Sequence, residues 1–98
     1  MPVSSKENGG SVNIVVTGRF DFNDHSNFRE SYRNFAPSAR YNIDMSGTEY
    51  MDSSALGMLL LLREHAGGDS ASITISGCKP EIHKILSIAN FQKLFEIR

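Results

Sequence analysis

The order of β-branched runs and helix-periodic runs along these 98 residues constrains the fold more than any other feature. Val12–Thr17 (Val-Asn-Ile-Val-Val-Thr) carries side chains that suit a pleated, half-buried surface, and Gly18 closes it. Tyr41–Met45 and Ser72–Ser76 read as two further short strands, the second alternating Ile73 and Ile75 with polar residues. A helical pattern follows each strand. Phe28, Tyr32 and Phe35 recur at helical spacing over Asn27–Phe35, with Ser26 or Asp24 as a cap and Pro37-Ser38 as the stop. Ser53–Ala66 is an apolar run stopped by Gly67-Gly68. Pro80 then suits a first helical turn, Ile82, Ile85, Leu86 and Ala89 make one apolar face, and Asn90 breaks the helix. Phe91, Leu94, Phe95 and Ile97 pack beyond it as a final turn or strand.

Alternation of this kind predicts an α/β fold with a small, mostly parallel central sheet. With so few strands the helices are expected to lie mainly on one face, leaving the other to polar residues or to a partner layer. The length fits one domain, residues 1–98, and residues 1–10, ending in Asn-Gly-Gly, read as a flexible or turn-forming lead. Ten basic and eleven acidic residues, with the basic ones scattered, give no electrostatic footprint for nucleic acid or an anionic membrane. No apolar stretch approaches a transmembrane span, and Met-Pro-Val-Ser-Ser-Lys lacks the apolar core of a signal peptide. The single cysteine, Cys78, excludes an internal disulfide framework and fits a reducing compartment. These features together predict a cytoplasmic protein, bacterial in style, that acts through a protein partner.

The segment Tyr50–Leu62 says most about that action. Asp52-Ser53-Ser54 supplies residue types that satisfy the free N–H groups opening a helix. A serine is therefore presented at a positively polarised helix start, where a phosphate can also be held. On a projection at 3.6 residues per turn, Ala55, Met58, Leu59, Leu62 and Ala66 cluster on one side as core. Gly57, Leu60, Leu61 and Glu64 fall on the side that carries Ser53. Ser53, Gly57, Leu61 and Glu64 are thus expected to form a partner-facing stripe, with the small Gly57 permitting close approach. The alternative is that Leu60 and Leu61 pack under the last helix.

At Met51-Asp52-Ser53-Ser54-Ala55-Leu56-Gly57 the chain resembles the STAS-domain family, specifically the small bacterial anti-sigma factor antagonists, whose signature has the form Met-Asp-Ser-(Ser/Thr)-Gly-Leu-Gly. Ala55 stands where many relatives have glycine, a change that a helix interior favours by roughly 1 kcal/mol. Gly18-Arg19-Phe20-Asp21 is similar to the family's Gly-Glu-Leu-Asp after the first strand, and Ile88–Phe95 is similar to its C-terminal stretch. The resemblance implies a STAS-like single domain and a non-enzymatic partner switch in signal transduction and transcription regulation. A serine kinase-type anti-sigma factor would phosphorylate the serine after the motif's aspartate, Ser53 by position with Ser54 as the neighbouring alternative, and a PP2C-type phosphatase would reverse it. The unphosphorylated form would bind its regulator and the phosphorylated form would let go. The regulator could equally be a response regulator carrying kinase and phosphatase modules. Asp21 and Asp52 would line the same partner-binding surface as Ser53, on a protein that is a monomer when free. The same family also implies a second role, a constitutive accessory subunit of a bacterial lipid-transport ATPase with no serine cycle.

The remaining reactive side chains point to no catalysis. His25, His65 and His83 lack paired metal-ligand spacing, and Asp24 and Asp44 read as a turn residue and a strand-edge residue, so no metal and no cofactor are expected. Cys78 reads as a loop thiol. The serine motif is not Gly-x-Ser-x-Gly and no base lies beside it. No glycine loop for phosphate is present either.

Overall fold

In the computed structural model, which describes residues 3–98, each β-branched run becomes a strand and each helical pattern a helix. The elements are β1 (Val3–Asn8), β2 (Ser11–Phe20), α1 (His25–Glu30), β3 (Arg40–Met51), α2 (Ser53–His65), β4 (Ile73–Ser76), α3 (Pro80–Ile88) and β5 (Glu96–Ile97). The five strands form one sheet in the order β1-β2-β3-β4-β5, antiparallel between β1 and β2 and parallel elsewhere.

Within residues 1–10, the stretch Val3–Asn8 is a strand and not a flexible lead. Gly9 and Gly10 both adopt positive φ, as a two-residue hairpin turn requires, and they fold Val3–Asn8 back against Ser11–Val16. Val3 is the one buried side chain of β1, at 6% exposure, and Lys6 and Glu7 lie on it exposed. A strand at a sheet edge can be this polar, which is why its sequence resembles a lead.

Gly18 does not end the next strand. At φ +70° it sits in a bulge where the β2–β3 register shifts, and both strands continue beyond it. Residues Ser46–Met51, beyond the expected strand Tyr41–Met45, are accordingly the second half of β3. Thr48 makes this possible: its hydroxyl is fully buried and donates to the Val16 carbonyl oxygen at 2.8 Å. Asp44 therefore lies in mid-strand on a central strand, not at a strand edge.

The first helix is shorter than its spacing suggests. Ser31 donates its hydroxyl to the Phe28 carbonyl oxygen at 2.5 Å, a local bond that competes with helical continuation. Neither Ser26 nor Asp24 caps it through a side chain. Instead Asp21 and Asp24 form a reciprocal capping box around the 3-10 turn Phe22–Asp24. Phe28 and Tyr32 are buried, with ring centroids 5.7 Å apart, so the aromatic stripe is core even where the helix has ended.

One apolar cluster holds the molecule together. Val12, Ile14, Val16, Tyr41, Ile43, Met45, Ile73 and Ile75 face Phe28, Leu59, Leu62, Ile82 and Leu86 from the three helices. The opposite sheet face is polar, as expected of a face without helices: Asn42 Nδ2 donates to Asn13 Oδ1 at 2.6 Å, and the Ser76 hydroxyl reaches Asn42 Oδ1 at 3.4 Å.

Candidate functional site: the Asp21 and Asp52 loops and the outer face of α2

Parallel pairing brings the C-terminal ends of β2 and β3 together, with Phe20 opposite Met51, and the loops that follow them side by side. Ligand sites of open α/β sheets gather outside such strand ends. The Asp52 N–H donates to the Phe20 carbonyl oxygen at 3.4 Å, so Asp21 and the start of α2 are neighbours although far apart in sequence.

Asp52 is the N-cap of α2. Its Oδ1 accepts the Ala55 N–H at 3.1 Å and the Ser54 hydroxyl at 2.5 Å. The Ser54 bond, with the backbone N–H groups, holds the Asp52 carboxyl below the usual carboxylate range. The two serines are thereby separated. Ser54 commits its hydroxyl to Asp52, whereas Ser53 is exposed on the first turn with no side-chain hydrogen bond among the described residues.

Asp21 is held by the turn after β2: its Oδ1 accepts the Asn23 N–H at 3.0 Å. Arg19 lies 3.5 Å from its other oxygen and stacks its guanidinium 4.1 Å from the centroid of the Tyr50 ring. Arg19 and Tyr50 are paired residues of β2 and β3, a register that sequence spacing does not reveal. Phe22, in the 3-10 turn Phe22–Asp24, is 69% exposed beside Asp21.

Along α2, Ala55, Met58, Leu59 and Leu62 are buried, and Ser53, Gly57, Leu60, Leu61 and Glu64 are exposed. Leu61 is 51% exposed and Leu60 39%, so neither is packed under α3. A Cβ on Gly57 would meet nothing within 4 Å. The structure thus joins Asp21, Asp52 and Ser53 at one end of the sheet, and Gly57, Leu61 and Glu64 extend from them along the outward face of one helix.

Burial pushes the Cys78 thiol up, away from the reactive thiolate. Among the described residues no group of three or more His, Cys, Asp or Glu is placed to hold a metal ion, and no helix is long and apolar enough to cross a membrane.

The architecture is that of a single small α/β domain, a mostly parallel five-stranded sheet carrying three helices. The family model described as "Mlab, STAS domain" matches residues 3–96, and the chain belongs to this STAS family. It is 51% identical over 90 residues to a STAS-domain containing protein of Pseudomonas aeruginosa, covering 91% of this chain and 89% of that one. Its fold is similar to that of a candidate anti-sigma factor antagonist of Thermotoga maritima, with a TM-score of 0.82 at 14% identity over 97% of this chain and 84% of that one. It is also similar to the Bacillus cell fate determinant SpoIIAA in its phosphorylated form, with a TM-score of 0.74 at 15% identity over 98% of this chain and 90% of that one.

Proposed function

We propose that this protein is a phosphorylation-controlled anti-sigma factor antagonist, a cytoplasmic partner switch whose unphosphorylated form binds its regulator and is released by phosphate on Ser53. One observation carries the reading: the free, exposed Ser53 hydroxyl stands at the start of an exposed, leucine-bearing helix face, while Ser54 is tied to Asp52. A phosphoserine there adds about −1.5 to −2 charges beside Asp52, with Asp21 in the adjacent loop. The helix dipole favours that charge and the two carboxylates oppose it, so modification has little net effect on the fold. Its effect falls on the complex, where the dianion would be desolvated or repelled by the docked partner. The partner is a serine kinase-type anti-sigma factor or a response regulator with kinase and phosphatase modules, and a PP2C-type phosphatase resets the switch.

Phosphopeptide mapping of the protein from its own cells across growth conditions tests this, joined to affinity capture with Ser53→Ala and Ser53→Asp. Condition-dependent phosphate on Ser53, with a partner retained by Ser53→Ala and lost by Ser53→Asp, is the expected outcome. A chain unmodified under every condition favours the second reading, the constitutive STAS subunit of a lipid-transport ATPase. That reading is kept because the matched family is described by Mlab and not by a phosphorylated antagonist.

A further inference from the structure

A groove of about 330 Å3 runs between α1 and α2, beside the outward face of the second helix. His25, Arg29, Tyr32, Arg33, Leu61 and His65 line it: two guanidinium groups, two imidazoles and no carboxylate around one half-exposed leucine. The chain as a whole carries a net charge of −1, so this positive character is local. Arg29 has no ion-pair partner among the described residues. Arg33 is paired at 3.2 Å with Glu30, both well exposed, and such a surface pair is easily exchanged. Glu64 stands exposed on the outward face of α2. The His65 ring is fixed, its Nε2 3.0 Å from the Phe35 carbonyl oxygen. The His25 ring lies 5.9 Å from that of exposed Phe22, which continues the apolar rim toward the Asp21 loop. Tyr32 is buried and packs against His65, with ring centroids 5.1 Å apart, so its ring forms part of the groove floor.

We infer that this groove docks an acidic amphipathic segment of the partner protein, with apolar side chains against Leu61 and carboxylates against Arg29 and Arg33. Charge complementarity chooses this occupant: an acidic segment gains both guanidinium groups, while a basic one would meet four cationic or protonatable side chains. The inference rests on the proposal that the outward face of α2 meets the partner, and it extends that surface across to α1.

The test places the photo-crosslinking residue p-benzoylphenylalanine at position 30, beside Arg33, or, separately, at position 60 on the exposed side of α2, in a Ser53→Ala chain expressed in its own cells. The expected result is one common partner from both positions. The peptide joined at position 30 then carries Asp or Glu together with apolar residues at helical spacing. Arg29→Glu should lower the crosslink yield from position 60 at least tenfold with an unchanged melting temperature, and Arg29→Lys should restore most of it. Crosslinking from position 60 with none from position 30, a basic peptide or a second copy of this chain at position 30, or indifference to Arg29→Glu overturns the groove while leaving the helix face as an interface. Failure at both positions overturns the two together.

Discussion

The two faces of α2 are both rich in leucine, and they do opposite things. Leu59 and Leu62 are fully buried against the sheet, and Leu60 and Leu61 stand in solvent on the same helix. Composition cannot separate these four residues; angular position on the helix does. The inner face is fixed by packing and the outer face is free to be shaped by recognition. The outer face is also the one with a glycine, an unpaired serine hydroxyl and the basic groove at its side.

The largest effect that would break this comparison is on stability. Leu59→Ala should cost about 2–5 kcal/mol in urea unfolding, because a fully buried side chain leaves a cavity. Leu61→Ala should stay within about 0.5 kcal/mol of the parent. Equal losses would erase the distinction between the faces. Leu61→Lys sharpens it from the other side: binding to the captured partner should fall at least tenfold with an unchanged melting temperature. Gly57→Ala separates the two properties at one position. Alanine is favoured over glycine in a helix interior by up to about 1 kcal/mol, and the site is sterically open, so the isolated domain should become more stable. If the partner approaches closely there, the same substitution weakens binding, which titration calorimetry on the two forms would show.

The smallest effect concerns acid. Asp52 is held below the usual carboxylate range first by the Ser54 hydroxyl, and Asp44 first by the Ser46 N–H and then by its hydroxyl. A lowered folded value means that the ionised form is the stabilising one. That contribution is complete above about pH 4, where an unfolded aspartate is ionised, and is lost as the pH falls through the lowered folded values. Ser54→Ala should therefore flatten the loss of melting temperature between neutral and acid pH, by a small amount because Asp52 is only partly covered. An unchanged acid slope would show that the cap carries none of it.

Much of this was legible in the residues because the signals were local. The Val12–Thr17 run, the Asp52 cap, the glycines at the end of α2, the proline opening α3 and the α2 projection each depend on a few neighbouring side chains. The missed features depend on pairing across the chain. Val3–Asn8 is a strand because β2 gives it an edge, not because its own residues ask for one. Ser46–Met51 is strand because Thr48 finds the Val16 carbonyl and the bulge at Gly18 restores the register. The Arg19–Tyr50 stack exists only once that register is set. The position of Ser53 beside Asp52 was readable from the motif. Its distinction from Ser54 was not, because both are serines at a helix start and only the bond to Asp52 tells them apart.

The hydrogen bond from the Asp52 N–H to the Phe20 carbonyl oxygen has a consequence for when the surface exists. The β1–β2 hairpin closes over two glycines, whereas the β2–β3 pairing must first bring together segments separated by an entire helix and its connections. Asp21 and Ser53 become neighbours only after that second closure. A nascent or partly unfolded chain therefore does not present the two halves side by side, and a partner that needs both would meet them only on the folded domain.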